Sequence, residues 1–293
     1  MSPFVRLAAA ANVLQGATTS HRTIIDTGSQ FVAARDIPAG MLLMSIPTES
    51  ALTSNAPQTE SGDLLLDNHM HIDDLAAQLL SYSEDRTAPH YDYANYLLNT
   101  VTPPKNLPFL KKMDLVCPDA VPMWDMFHTT MTKSPLNEFL HSRLTPEEYL
   151  WFVSVVMSRR SGLTTLIPVL DKLNHDEVPN SYFSMSSESS FCGLDVVDNL
   201  VAGVDLSLIF TPYIHLFAIN PIPRGHALTI SYSDQNPKSP EGSDLWRISW
   251  GFVPEKVCEY TESELREVAG VVVGRRIEQL STHFPVASSE ISA

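Results

Sequence analysis

Residues 166–180 read LIPVLDKLNHDEVPN, and no other stretch restricts the fold of this chain as strongly. Leu166, Ile167, Val169 and Leu170 form an apolar run short enough for a buried strand or the approach to one. The run stops at Asp171, and Asn174 and His175 follow side by side with an acidic turn behind them. A segment that changes so abruptly must bring its last residues to the rim of a core, where backbone and side chain can face a ligand. A plainer reading stands beside this one. A histidine next to an apolar run is commonly a satisfied core residue, and asparagine favours turns by bonding its own backbone.

A second stretch, residues 227–254, reads ALTISYSDQNPKSPEGSDLWRISWGFVP and opens with an alternating strand that ends on Tyr232. Between the two, residues 206–219 (LSLIFTPYIHLFAI) are the most apolar part of the chain. They read as two buried strands around Pro212, with an exposed docking face as the alternative.

The rest of the chain frames these segments. Residues 23–25, 31–34 and 41–46 are short strand candidates, punctuated by Thr27-Gly28 and by a DIPAG turn that ends on Gly40. Upstream, Ser2 and Pro3 open a helical pattern whose face carries Phe4, Leu7, Ala8, Ala11 and Leu14 before Gly16. Residues 54–162 are helical in character. Residues 55–68 read as a polar surface loop, Asp73 or Asp74 as the cap of a helix with Leu75, Ala76, Leu79 and Leu80 on its face, and Pro103, Pro104 and Pro108 as a loop. Thr145, Pro146 and Glu148 make a capping box for a helix whose stripe is Leu150, Val153, Val156 and Met157. Arg159 and Arg160 fall in its last turn, where cations suit the negative end of the helix dipole whether or not they also bind a ligand. Thr261 and Glu264 make a second capping box, ahead of a face built from Leu265, Val268, Ala269, Val272 and Leu280. Residues beyond Pro285 read as a disordered tail.

Composition removes several classes of function. A net charge of −15 over 293 residues argues against a broad basic surface for nucleic acid. No run reaches the roughly 18 apolar residues of a membrane span. The three cysteines are scattered, with no CxxC or Cys/His cluster, so neither a disulfide framework nor a metal site is expected. An intracellular compartment is the expectation. The first 25 residues hold Arg6, His21 and Arg22 and no acid, which adds a mitochondrial destination to the cytoplasmic and nuclear ones. No P-loop, GxSxG elbow, HExxH or strand-borne GxGxxG is present.

The order of landmarks is informative: VAARDIPAG, a helical segment ending in Ser158-Arg159, DKLNH, a strand ending on Tyr232, then Trp250-Gly251-Phe252. This order resembles the SET-domain protein methyltransferases. The likeness is to the branch of the Rubisco large-subunit lysine methyltransferases and the actin-histidine methyltransferase, which carries a helical insert in the SET core. It covers nearly all of residues 1–255.

The resemblance implies an α+β fold of small antiparallel sheets with knotted C-terminal threading, an inserted helical subdomain and a C-terminal helix. Its expected division is an N-terminal helix and first part of the core (1–53), the helical insert (54–150), the second part of the core (151–255), and a C-terminal helix and tail (256–293) in place of the family's larger substrate-binding lobe. It implies S-adenosylmethionine as cofactor, held by Gly28, Arg159, Asp171, Asn174 and His175, with Arg159 near the donor's carboxylate. Tyr232 would face the transferring methyl as the catalytic residue, and Trp250 and Phe252 would wall the substrate channel. No metal is implied. The partner would be a protein substrate, methylated on lysine rather than histidine, or a larger protein complex.

The family's acid followed by Gly-x-Gly stands here as Thr27-Gly28-Ser29-Gln30, so the acid and the second glycine are both replaced. A glycine at the second position lets backbone approach a cofactor closely, and Gln30 adds a side chain there. Trp250 replaces the usual tyrosine and offers no hydroxyl to an incoming amine. These departures keep a second expectation open: a catalytically degenerate SET-like protein serving as a structural or assembly subunit.

Overall fold

The computed structural model describes residues 14–15, 23–27, 30–57, 64–102, 137–162, 164–185, 213–233 and 235–283. In chain order the strands are β1 (Leu14–Gln15), β2 (Ile24–Asp26), β3 (Phe31–Ala33), β4 (Leu42–Pro47), β5 (Leu52–Thr53), β6 (Arg160–Ser161), β7 (Thr165–Leu166), β8 (Asn174–His175), β9 (Ser181–Met185), β10 (Tyr213–Ala218) and β11 (Thr229–Ile230). The helices are α1 (Leu64–Glu84), α2 (Tyr91–Thr100), α3 (Asn137–His141), α4 (Pro146–Arg159), α5 (Pro240–Trp250) and α6 (Glu262–His283), with three-ten turns at Thr48–Ser50 and Leu170–Lys172. These elements divide between two compact units.

The first unit draws on residues 49–172 and 235–257. Its core is helical: Ile72, Leu75, Ala76 and Leu79 of α1 meet Tyr93, Ala94 and Leu97 of α2 and the buried face of α4. Helix α4 starts where the capping box requires, with Thr145 N–H on Glu148 Oε2 at 2.8 Å and Glu148 N–H on Thr145 Oγ1 at 3.3 Å. A three-stranded antiparallel sheet in the order β5-β7-β6 completes the unit.

Asp73 and Asp74 do not cap a helix. They lie inside α1, which begins at Leu64 and so replaces the last part of the expected surface loop. Both acids have other partners: Asp73 Oδ1 accepts from the Tyr149 hydroxyl at 2.8 Å, and Asp74 Oδ2 accepts from Asn55 N–H at 2.8 Å.

The second unit draws on residues 14–48, 173–233 and 258–283. Its four-stranded sheet runs β1-β4-β10-β9, with β4–β10 and β10–β9 antiparallel. Leu42, Leu43 and Met44 are buried in succession, as are Ile214 through Ile219, so both faces of these strands are covered. This accounts for the apolarity of residues 213–219. Residues 206–212, the Pro103–Pro108 loop and the tail beyond Pro285 lie outside the described residues. So does most of the expected N-terminal helix, but its last face residue, Leu14, lies in strand β1 and pairs with Ser45 of β4.

Strands β2 and β3 form an antiparallel hairpin, and residues 225–228 run beside β3 through Gly225 N–H on Ala33 O and Leu228 N–H on Phe31 O. The DIPAG turn closes on Gly40 at φ +78°, a torsion that suits glycine. Helix α6 opens on the Thr261–Glu264 box and packs Leu265 and Ala269 against Tyr182 and Ile219.

Candidate functional site

The sequence-derived residues fall into two groups, one in each unit. In the second unit, β8 pairs with β11 in parallel, Thr229 opposite Asn174 and Ile230 opposite His175. Asp176 N–H on Ile230 O at 3.1 Å extends the pair. This short ladder brings the end of DKLNH to β11, which ends at Ile230 and not at Tyr232 as the alternation suggests, leaving Tyr232 in the bend that follows. The Tyr232 N–H donates to His175 Nδ1 at 3.3 Å, the two rings lie 5.4 Å apart, and the Tyr232 hydroxyl donates to Leu173 O at 2.7 Å. Burial pulls the His175 pKa below its ordinary value, against the opposing pull of Asp176 and Glu177. Asn174, the neighbour of His175, is exposed.

Asn180 is a residue that sequence reasoning passed over. Its Nδ2 donates to Ala227 O at 2.8 Å and its Oδ1 accepts from Thr229 N–H at 2.9 Å, while its carbonyl accepts from Ile219 N–H at 2.9 Å. It therefore fixes β11, two residues before Tyr232, against the start of β9 and the end of β10. The asparagine stood at the end of the first stretch, yet nothing local marked its distant partners.

In the first unit, α4 ends on Arg159, whose Nη1 donates to the Asp171 carbonyl at 2.8 Å. Arg160 follows as the C-cap, and burial brings its pKa down to about 10. Asp171 sits in the three-ten turn, with Oδ2 accepting from the Tyr93 hydroxyl at 3.1 Å and Oδ1 buried without a hydrogen bond. Burial raises the Asp171 pKa to about 6, and the Arg159 charge offsets part of that rise. The same burial, with the Asp171 charge next, pushes the Tyr93 phenol well above its ordinary value, so it stays a donor at any working pH.

The turn is entered through Val169 at φ +77°, 1% exposed. Such a torsion in a β-branched residue costs on the order of 1–3 kcal/mol.

Trp250 and Phe252 also belong to the first unit, around buried Trp246, at ring separations of 4.6 and 5.6 Å. Trp246 Nε1 donates to Gln235 O at 3.0 Å, and Phe252 remains 40% exposed. Gly28 lies outside the described residues. Its flanks are visible: Thr27 N–H and Thr27 Oγ1 both donate to Gln30 O, at 3.0 and 2.9 Å. Thr27 thus closes the β2–β3 hairpin.

Among the described residues no group of His, Cys, Asp and Glu is arranged to hold a metal ion. Among them, too, no helix is long and apolar enough to cross a membrane.

The fold is similar to solved structures of a SET-domain enzyme. The SET domain of LSMT bound to lysine and AdoHcy aligns at 13% identity over 86% of this chain and 56% of that one, with a TM-score of 0.52. Rubisco LSMT bound to sinefungin and monomethyllysine aligns at 14% identity over 87% and 57%, TM-score 0.52. Rubisco LSMT bound to AdoMet gives 12% identity over 86% and 56%, TM-score 0.51. The chain therefore spans little more than half the length of these structures, as the 56% coverage states. No curated protein sequence matches it. The SET domain family model matches residues 28–233, and the chain belongs to that family.

Proposed function

We propose that this chain is a protein N-methyltransferase that transfers the methyl group of S-adenosylmethionine to a lysine of a protein substrate, in preference to a histidine. The observation that carries the reading is the junction of His175 and Tyr232 across the parallel β8–β11 pair.

The chemistry of the donor set suits a sulfonium donor. The Tyr232 hydroxyl donates to the Leu173 carbonyl over 2.7 Å, and each oxygen keeps a lone pair beyond that bond that suits a positively polarised C–H group. When bound, S-adenosylmethionine supplies an electrophilic methyl group. Asn174 and His175 are the residues proposed to hold it, with Arg159 and Asp171 assigned by the resemblance. Trp250 and Phe252 are proposed to exclude water from the incoming amine, whose pKa falls on desolvation so that it presents a lone pair. Alignment and dryness are what the protein contributes.

A second reading, a SET-like assembly subunit without turnover, has its own support. Thr27, standing where the family has an acid, uses both its amide and its hydroxyl on Gln30 O. Calorimetry with S-adenosylmethionine and with sinefungin separates the two. Binding in the micromolar range supports the enzyme, and no heat at millimolar ligand removes it and leaves the subunit.

A further inference from the structure

Three elements of the first unit converge on Asp171: α2 through the Tyr93 hydroxyl, α4 through Arg159, and the three-ten turn that carries the residue itself. The Tyr93 hydroxyl holds one oxygen of the buried Asp171 carboxyl, and the Val169 amide also favours its charged form. The carbonyl of the same residue receives Arg159. Both bonds therefore meet on one residue of a sharp turn, and a shift of Asp171 as a whole moves the carbonyl that aims the guanidinium.

We propose that Tyr93 is a positioning residue: by holding Asp171 it fixes the direction of Arg159, and so couples helix α2 to the cation assigned to the donor's carboxylate. The last clause rests on the function proposed above; the link between Tyr93 and Arg159 does not. Tyr93 is buried, and its hydroxyl does more than fill space. A buried carboxylate in a sharp turn tends to seek solvent or a proton, and a donor on one oxygen opposes both.

The charged and titratable groups acting here are Arg159 and Lys172 on Asp171, and Tyr96 beside Tyr93. Arg159, Lys172 and Tyr93 all favour the charged carboxylate, so removing the Tyr93 hydroxyl moves Asp171 toward its protonated form. Arg159 then loses a fixed counter-charge over a range of pH where the parent protein keeps it.

The test uses Tyr93→Phe, which retains the ring, and Asp171→Asn, in the full chain. The guanidinium 15N resonances of Arg159, assigned with Arg159→Lys, are followed against pH without donor. The expected result for the parent is guanidinium rotation that quickens below a midpoint near the Asp171 value of about 6, as the counter-charge goes while the bond to the carbonyl persists. In Tyr93→Phe the midpoint moves to higher pH, and Asp171→Asn shows no midpoint. S-adenosylhomocysteine binding at pH 7.5 should weaken by about three- to tenfold in Tyr93→Phe. Arg159 resonances with the parent midpoint in Tyr93→Phe would overturn the proposal. So would unchanged affinity in a parent that does bind. If the parent binds no donor at all, the proposed function fails, and the donor-free titration still decides whether Tyr93 directs Arg159.

Discussion

The imidazole of His175 accepts a hydrogen bond at Nδ1 from the main-chain N–H of Tyr232, 3.3 Å away. An accepting Nδ1 cannot carry a proton, so the neutral ring bears its hydrogen on Nε2. Protonation would set two N–H groups against each other, which agrees with burial lowering the pKa.

The His175 ring should therefore titrate below 6.5. With the folded pKa depressed, this residue's contribution to stability is complete above 6.5 and is lost as pH falls toward the folded value. Long-range 1H–15N spectra of the imidazoles report both points. A midpoint above 6.5, or a proton on Nδ1, would contradict the assignment.

Asp171 has the opposite linkage. Its folded pKa, about 6, lies above the ordinary 3.8, so folding favours the protonated form. Stability from this residue is complete below 3.8 and declines as pH rises through 6. The full change is about 3 kcal/mol from the size of that shift. Asp171→Asn should flatten the urea-derived stability between pH 4 and 7 relative to the parent; parallel profiles would refute this.

Tyr232→Phe removes the hydroxyl that donates to Leu173 O. The expected loss of stability is about 0.5–1.5 kcal/mol. Under the proposed function, turnover should fall by roughly 10²-fold with donor affinity nearly unchanged. A variant with full turnover would exclude a catalytic role for this hydroxyl.

Gly242 lies in the first turn of α5, where its N–H meets the capping Ser239 Oγ at 3.0 Å. A Cβ at this position would overlap the backbone carbonyl of Asn236. Gly242→Ala should cost about 1–3 kcal/mol in chemical denaturation, because a carbonyl cannot step aside as a side-chain tip can. A neutral substitution would show that the 236–239 turn is loosely held.

Local signals carried much of the fold. Strands β2, β3 and β4 lie where β-propensity and turn residues put them, and the boxes at Thr145 and Thr261 start α4 and α6. Helix α5 was legible and went unread: Ser239 caps it, Pro240 begins it, and Gly251 ends it at φ +76°. The aromatic residues of this segment suggest a channel wall, and that pattern masks the helical one.

The candidate site is partly legible in the sequence. The Asn174–His175 pair and Tyr232 stand out as polar ends of apolar runs, and the structure joins His175 to Tyr232. Tyr93 and Asn180 were hidden because each acts through partners many residues away, at Asp171 and at Ala227 and Thr229. Single-sequence periodicity describes which face of an element is buried, and carries no information on what that face meets.

The left-handed torsion of Val169 bears on the order in which this chain acquires its structure. A free valine almost never visits that region, so the turn cannot act as a nucleus and is imposed by surroundings that have already formed. It should be the last part of its neighbourhood to lock and the first to release. Amide hydrogens of Asp171 and Lys172, bonded to Ile167 O and Val169 O, should then exchange with solvent well before those in the middle of α4. The aspartate that receives Arg159 would thus be set in place only after the helix that carries the arginine.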